Sequence, residues 1–136
     1  MNPLKEITVV GAILIENGKI LCAQRGESKS LAYLWEFPGG KIESGESPQE
    51  ALIRELQEEL LIEVDVQPDV FEQTSYQYDF GLVHLTTFIC FLKKGTPQLT
   101  EHMAVEWLEP KELNQLEWAP ADIPAVEKLM GMGIVE

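Results

Sequence analysis

Apolar and β-branched residues in the first third of the chain predict a hairpin followed by a short third strand. Residues 6–15 are rich in Val and Ile, and residues 19–25 form a second apolar run, so both segments predict strands. Asn17-Gly18 between them is the preferred pair for a two-residue type I′ turn, which predicts a hairpin. Residues 34–37 predict a further short strand, and Pro38-Gly39-Gly40 should end it.

The strongest helix signal follows this loop and begins at Ser47. Ser47 is a good N-cap residue, Pro48 suits the first helical position, and Glu50 completes a capping box. We expect the helix to end near Leu61. Apolar side chains recur along it every four residues and predict one buried face, formed by Leu52, Leu56 and Leu60.

The second half of the chain mixes strands with short helices. Strands are predicted at residues 63–66, 70–78, 82–92 and 104–108, with Pro68 separating the first two and the third being central. Helices are predicted at residues 110–116 and 123–130, the last one with Asp122 as its cap. This order predicts an α/β fold in which a mixed β-sheet is sandwiched between α-helices (α/β/α), formed by one domain over residues 1–136.

The composition is that of a globular protein without a membrane anchor. The chain has 136 residues, of which 45% are hydrophobic and 24% charged. No apolar run approaches the roughly 18 residues of a membrane span, and the N-terminal residues lack the apolar core of a signal peptide. We therefore expect a cytoplasmic location and no membrane partner. Cys22 and Cys90 stand alone in apolar segments, which predicts reduced, buried thiols.

The formal net charge of −13 bears on the class of partner. Phosphate polymers favour proteins rich in Lys and Arg, so this charge argues against DNA, RNA and anionic membranes as main partners. A small phosphorylated molecule is still compatible with an acidic protein when metal ions lie between the two sets of negative charge. The distribution of the carboxylates therefore matters more than their number.

Three glutamates lie on the helix face opposite the leucines. Glu55, Glu58 and Glu59 stand at i, i+3 and i+4, so their side chains gather on one patch. A solvated acidic face is one interpretation, although like charges at this spacing repel and the C-terminal end of a helix favours Lys or Arg. A metal site is the other, because Mg²⁺ and Mn²⁺ prefer carboxylate ligands.

The segment around these glutamates resembles the Nudix box, whose pattern is G-x5-E-x7-R-E-U-x-E-E-x-G-U with U an apolar residue. The matching residues of this chain are Gly40, Glu46, Arg54, Glu55, Leu56, Glu58, Glu59 and Ile62. One position departs, because Leu61 stands where the family has a glycine that ends the helix in a left-handed turn. The resemblance implies an α/β Nudix fold, and the departure bears only on the local turn.

Other segments resemble MutT-type members of this family. They are residues 34–43, Glu101 six residues before Trp107, and residues 119–124, which are similar to bacterial CTP pyrophosphohydrolases, a MutT-like branch. The similarity implies a hydrolase that uses Mg²⁺, or Mn²⁺, to convert a (deoxy)nucleoside triphosphate to the monophosphate and pyrophosphate by attack of water at the β-phosphorus. It favours CTP, dCTP or their modified forms, followed by 8-oxo-dGTP, in sanitation of the nucleotide pool and hence DNA repair.

The resemblance also implies roles for individual residues. The implied metal ligands are Glu55, Glu58, Glu59, Glu101 and the carbonyl of Gly39, with an exposed loop acid as the alternative interpretation of Glu101. Arg54 and Glu46 would hold these carboxylates in place, and Gly40 would let the backbone approach them. The general base that takes the proton of the attacking water is Glu55, Glu58 or Glu101, and the sequence does not choose among them.

A second set of residues is implied in substrate binding. Arg25 and Lys41 are candidates for phosphate contacts, with an ordinary surface cation as the alternative for each. Asp122 is the candidate for reading the base edge, which is compatible with its role as a helix cap. Phe37 is a candidate for stacking on the base, although an aromatic residue before a turn is more often buried. The remaining interpretations are Tyr76, Tyr78 and Phe80 as pocket or packing residues, His84 as a core residue, and His102 as an exposed one.

Two other functions are compatible with the box. Nudix enzymes also hydrolyse nucleoside diphosphate sugars and dinucleoside polyphosphates, but those often carry extra elements or motifs that this sequence lacks. A non-catalytic nucleotide sensor is the third hypothesis, although such domains usually lose box glutamates that this chain retains. The expected partner is a small nucleotide substrate, bound by a monomer or a homodimer.

Overall fold

The fold is a mixed sheet with one helix on each face. The computed structural model describes residues 5–132. Its strands are β1 (Glu6–Glu16), β2 (Lys19–Gln24), β3 (Trp35–Glu36), β4 (Gly39–Lys41), β5 (Glu63–Tyr78), β6 (Gly81–Lys94) and β7 (Ala104–Leu108). Its α-helices are α1 (Pro48–Leu60) and α2 (Ile123–Met132), and 3₁₀ helices span Pro110–Gln115 and Pro120–Asp122.

β1 is the strand around which the sheet is arranged. The main path runs β3-β2-β1-β6-β5, while β4 pairs with β1 and β7 pairs with β2. β1 and β6 run parallel, in register from Glu6 opposite Leu82 to Ile15 opposite Phe91, and the other pairs are antiparallel. β6 therefore lies between two strands, which confirms the prediction of a central strand.

The turn signals hold in the first hairpin and fail in β5. Asn17 and Gly18 have φ values of 54° and 74°, and a type I′ turn requires both to be positive. The prediction of two separate strands around Pro68 is wrong, because residues 63–78 form one strand. Pro68 cannot donate a backbone hydrogen bond to the sheet. The strand does not end there, because the pairing register with β6 shifts between Val66 and Val70 and this irregularity accommodates the proline.

The two faces of the sheet bury two different clusters. On β1, Val10 and Leu14 pack with the leucine stripe of α1, while Ile13 and Ile15 pack with Leu129 of α2. Alternate residues of a strand point to opposite faces, so β1 contributes to both clusters. The predicted layer order of helix, sheet and helix is thereby confirmed.

Helix α1 begins with a capping box and ends in a left-handed turn. Ser47 Oγ accepts a hydrogen bond from Glu50 N–H at 3.1 Å, and Glu50 Oε1 accepts one from Ser47 N–H at 2.9 Å, which confirms the capping box. At the other end Leu61 adopts φ 58° and ψ 38°, and its N–H donates to Gln57 O. The left-handed turn is therefore kept, at a strain of about 1 kcal/mol for a residue with a side chain.

Burial agrees with the prediction for both cysteines and contradicts it for His84. The thiols are fully buried, and burial raises the pKa of Cys22 and of Cys90 to about 12. The His84 side chain is 36% exposed and bonds to Ser75 of β5 and Glu6 of β1, so it is not a core residue. Within residues 5–132, no helix is both long enough and apolar enough to cross a membrane.

Candidate active site

A cleft of about 460 Å³ lies where β4, the loop after β2 and the turn before α2 meet β1 and β6. Its polar lining includes Arg25, Lys29, Glu36, Lys41, Glu59, Glu101, His102 and Asp122. Its apolar lining includes Val9, Phe37, Tyr78, Phe80, Val83 and Leu85. Arg54, Glu55 and Glu58 lie outside this lining, so the predicted box residues are divided between the cleft wall and the layer behind it.

Two glycines let β4 pass between β1 and α1. A Cβ atom on Gly39 would lie 2.8 Å from the Val10 carbonyl carbon and closer still to its oxygen. A Cβ atom on Gly40 would lie 2.7 Å from Glu55 Oε2 and closer still to the rest of that carboxylate. The sequence therefore places glycine where a backbone segment must touch both a neighbouring strand and the Glu55 carboxylate.

Arg54 of α1 binds four residues behind the cleft, which lie in β4, in the loop that follows it and in α1 itself. Its Nε and Nη2 donate to the two oxygens of Glu46 at 2.6 and 3.0 Å, and Nη2 also donates to Lys41 O at 3.0 Å. Its Nη1 donates to Glu55 Oε2 at 3.0 Å and to Glu58 Oε1 at 3.2 Å. These hydrogen bonds lower the pKa of Glu46, and Arg54 holds three glutamates that would otherwise repel one another.

Glu59 is the acidic residue of α1 that reaches the cleft. Its Oε1 atom is buried and has no hydrogen-bond partner among residues 5–132. Burial, followed by the charges of Glu55, Glu36 and Glu101, raises the pKa of Glu59 to about 8. Burial also raises the pKa of Glu55, partly offset by the Arg54 hydrogen bond. A buried carboxylate oxygen without a donor is unfavourable, and a cation beside it would relieve that cost.

The predicted trio does not form a ready metal site by itself. In the part of the chain that the structure describes, no three Asp, Glu, His or Cys side chains converge to hold an ion. Glu55 and Glu58 turn toward Arg54, and Glu58 is 60% exposed, whereas Glu59 faces the cleft. The donor set is the oxygen-rich type that Mg²⁺ and Mn²⁺ prefer, but two of its three carboxylates are bound to Arg54 and the three are not gathered around one point.

Glu101 lies in the cleft wall and is paired with a lysine that the sequence reasoning missed. Lys29 Nζ lies 3.1 Å from Glu101 Oε1, and both side chains are about half exposed. Lys29 comes from the loop after β2, whereas Glu101 precedes β7. The charge of Glu101 contributes to the raised pKa values of Glu55 and Glu59, so the three acids are within electrostatic range of one another.

A partly buried hydrogen-bond network links Arg25 to His102 through Glu36. Arg25 Nη1 donates to Glu36 Oε1 at 2.9 Å, and His102 Nε2 donates to Glu36 Oε2 at 2.9 Å. The prediction that His102 is exposed is wrong, because this bond holds its side chain against the cleft at 5% exposure. The sequence reasoning missed Glu36, although a charged residue in a short apolar strand is a signal that could have found it.

Asp122 is buried and held by the backbone that precedes the glycines. It is 6% exposed, and its Oδ1 accepts a hydrogen bond from Phe37 N–H at 3.0 Å. Burial, followed by the charge of Glu36, raises the pKa of Asp122 well above its usual range. The helix-cap prediction is wrong, because helical structure already begins at Pro120 with Ala119 as its N-cap. The Phe37 ring is 3% exposed and packs on Trp118.

Three aromatic residues, Tyr76, Tyr78 and Phe80, occupy alternate positions at the hairpin between β5 and β6. Tyr78 and Phe80 line the cleft and stack with ring centroids 5.1 Å apart. The Tyr78 hydroxyl accepts a hydrogen bond from Ala121 N–H at 2.8 Å. Tyr76 packs on Tyr78 but is 42% exposed and outside the cleft lining. Two of the three aromatic candidates therefore belong to the pocket.

Comparisons with known proteins bear on this site. A model of the NUDIX domain matches residues 5–129. The CTP pyrophosphohydrolase of Escherichia coli (strain K12) is 44% identical over 131 residues, which cover 95% of this chain and 95% of that protein. The 8-oxo-dGTP diphosphatase of the same strain is 37% identical over 123 residues, or 88% of this chain and 92% of that protein. A solution structure described as DNA mismatch repair protein MutT, of the Nudix hydrolase family, from methicillin-resistant Staphylococcus aureus is 53% identical, with a TM-score of 0.78 over 96% of this chain and 100% of that one.

Proposed function

This chain belongs to the NUDIX family and is a Nudix hydrolase, and from that premise we propose that it converts a (deoxy)nucleoside triphosphate to the monophosphate and pyrophosphate. The resemblance and the fold expected from the box are confirmed by the family match and by solved structures of the same fold. Nudix hydrolases generally require a divalent metal. The proposal takes Mg²⁺ as that ion, with Mn²⁺ as the alternative.

One observation carries the proposal: a single cleft holds the groups that a phosphate chain requires and those that a base requires. Glu59, Glu101 and Lys41 supply charge at the wall formed by β4 and the end of α1. Tyr78 and Asp122 supply an aromatic face and a buried polar group in the same cavity. A volume of about 460 Å³ is in the range of small-ligand sites.

The proposed metal ligands are the carboxylates of Glu55, Glu58, Glu59 and Glu101 and the carbonyl of Gly39. The buried Glu59 oxygen without a partner supports this most directly. The close approach of Gly40 to the Glu55 carboxylate supports it as well, because it keeps that carboxylate beside the cleft wall. An ion held by these residues would supply charge neutralisation for the phosphates and a lower pKa for the attacking water.

The protein residues have separate tasks in this proposal. Arg54, with Glu46 and Gly40, keeps the carboxylates in position. A glutamate accepts the proton of water. Glu101 lines the cleft and is better placed for this than Glu55 and Glu58, which lie outside the cleft lining and bind Arg54. Lys41 and Arg25, which also line the cleft, are proposed to bind the phosphates.

The proposed first substrates are CTP, dCTP or modified forms of these. Burial raises the pKa of Asp122 well above its usual range and so favours the protonated carboxyl, which can both donate and accept a hydrogen bond. Cytosine presents an amino donor beside a ring-nitrogen acceptor, which suits that pair. The CTP pyrophosphohydrolase relative supports the same choice. 8-oxo-dGTP is the second candidate, supported by the 8-oxo-dGTP diphosphatase relative. Phe37 is proposed to complete the pocket wall.

The remaining parts of the proposal concern organisation. We propose one catalytic domain over residues 1–136, acting as a monomer or a homodimer in the cytoplasm. Its partner would be a small nucleotide and not a nucleic acid polymer, in keeping with a net charge of −13. The expected role is sanitation of the nucleotide pool.

The test is product analysis over a substrate panel with Mg²⁺. The panel contains CTP, dCTP, 5-methyl-dCTP, dGTP, 8-oxo-dGTP, ADP-ribose and a dinucleoside polyphosphate. Glu59→Gln is the active-site variant, and Glu127→Gln, the same change at an exposed position of α2, is its matched control. Monophosphate and pyrophosphate from a triphosphate, lost in Glu59→Gln and kept in Glu127→Gln, support the proposal. Hydrolysis of ADP-ribose or the dinucleoside polyphosphate, with no hydrolysis of any triphosphate, would reject nucleoside triphosphates as the substrate class.

A further inference from the structure

The turn that carries Asp122 is held by a hydrogen bond from outside its own helix. Ala121 occupies the first turn of the 3₁₀ helix Pro120–Asp122, where backbone N–H groups lack partners within the helix. The N-cap residue is Ala119, whose side chain has no oxygen, and no side-chain cap bond forms there. The Tyr78 hydroxyl supplies the missing acceptor, at 2.8 Å from Ala121 N.

This bond ties the turn to the β5–β6 hairpin, whereas Asp122 itself is tied to the opposite wall. The Asp122 carboxylate accepts from Phe37 N–H, which precedes β4. Ala119 N–H donates to Trp35 O at 2.8 Å, again on the side of β3. Tyr78 thus anchors the turn from the side on which Phe80, Val83 and Leu85 line the cleft.

The Tyr78 ring is itself fixed, so its hydroxyl is a well-placed acceptor. It stacks on Phe80 with an interplanar angle of 6° and packs with Val83, Leu85 and Ala121 in a small apolar cluster. Because Phe80 stacks on the ring and this cluster packs against it, removal of the hydroxyl oxygen alone should keep the ring packing and release only the Ala121 amide.

We propose that Tyr78 is a positioning residue for base selectivity: by holding the Ala121 amide it fixes the Asp122 carboxyl relative to the aromatic wall of the cleft. This inference rests on the proposed function, in which Asp122 reads the base. It gives the Tyr78 hydroxyl a role of its own beside the aromatic face that the ring offers the base: the hydroxyl acts through Asp122 and not through contact with the reacting phosphates.

The experiment compares Tyr78→Phe with Tyr76→Phe, the same loss of a hydroxyl on the exposed neighbouring ring. The dissociation constants of CMP, GMP, AMP and ribose 5-phosphate are measured by calorimetry, so that the readout needs no turnover. In Tyr78→Phe we expect the preference for the best base over base-free ribose 5-phosphate to fall about fivefold, in keeping with the loss of one hydrogen bond. Affinity for ribose 5-phosphate should stay unchanged, and Tyr76→Phe should match the unaltered protein.

Two results would overturn the inference at this stage. One is that Tyr78→Phe and Tyr76→Phe show the same base preference. The other is that Tyr78→Phe binds all four ligands more weakly by the same factor, which indicates a general structural role. Absence of base preference in the unaltered protein would overturn it as well. Failure of the proposed function is seen separately, as absence of pyrophosphate release from any triphosphate.

Two further measurements test whether Tyr78 acts through Asp122. In an Asp122→Asn background the effect of Tyr78→Phe on base preference should largely disappear, and an undiminished effect would contradict the inference. In the unaltered protein, CMP should slow hydrogen exchange of the Ala121 amide more than ribose 5-phosphate does. Equal protection by both ligands would overturn the inference without any variant.

Discussion

Gly40→Ala should lower activity about 100-fold while leaving the fold intact. The new methyl group would lie 2.7 Å from Glu55 Oε2, whereas ordinary contact begins near 3.4 Å, so the carboxylate must move by about 1 Å. The obstructing atoms are the end of a flexible side chain, which can turn aside at little cost in stability. A displacement of that size at a catalytic group lowers kcat/KM about 100-fold, or about 2.7 kcal/mol in activation free energy.

The neighbouring glycine provides the contrast. A methyl group on Gly39 would press on the Val10 carbonyl, a backbone group paired in the sheet, which cannot turn aside. Gly39→Ala should therefore lose about 3 kcal/mol of stability, or about 10 °C in Tm. Steady-state kinetics and thermal melting of both variants give the comparison. A Gly40→Ala protein that keeps activity within twofold, or one that melts as low as Gly39→Ala, would refute the reasoning.

Three further predictions concern pH, capping and the thiols. A Glu59 carboxyl that keeps its proton up to pH about 8 when folded, but only to about 4.5 when unfolded, makes stability fall as pH rises between these values. Glu59→Gln should remove that loss, on the order of 2 kcal/mol in metal-free urea unfolding at pH 8 relative to pH 5; an unchanged slope would contradict it. Ser47→Ala should lower stability by about 1 kcal/mol with unchanged kcat/KM, because it removes the N-cap of α1, and Ser47 lies outside the cleft lining. Cys22 and Cys90 should react with a thiol reagent only on unfolding, since both are fully buried with a pKa of about 12, and fast reaction of the native protein would argue against that burial.

Local sequence signals predicted the elements that local physics determines. The Asn17-Gly18 turn follows from the conformations its two residues allow, and α1 follows from its capping box and leucine spacing. Leu61 shows that the left-handed turn at the end of α1 does not require the glycine of the family pattern, because a leucine adopts the same conformation there. Pro68 shows the opposite, since pairing with β6 over the rest of β5 outweighs one missing donor.

The parts of the candidate site that sequence reasoning missed depend on contacts between distant segments. Lys29 pairs with Glu101 across 72 positions, and His102 with Glu36 across 66. Neither spacing corresponds to a helix or strand period, so no pattern within one element reports it. The box glutamates were found because three of them share one helix. The orientation of their side chains could not be predicted, because Glu55 and Glu58 bind Arg54 outside the cleft lining, whereas Glu59 faces the cleft.

The site of water attack tests the central claim most directly. CTP is incubated with the protein and Mg²⁺ in ¹⁸O-labelled water, the products are separated, and their masses are measured by mass spectrometry. Attack at the β-phosphorus predicts unlabelled CMP and pyrophosphate that carries one ¹⁸O atom, with no product when the metal is removed by a chelator. Formation of CDP and phosphate, or absence of turnover for CTP and for 8-oxo-dGTP run in parallel, would contradict the account.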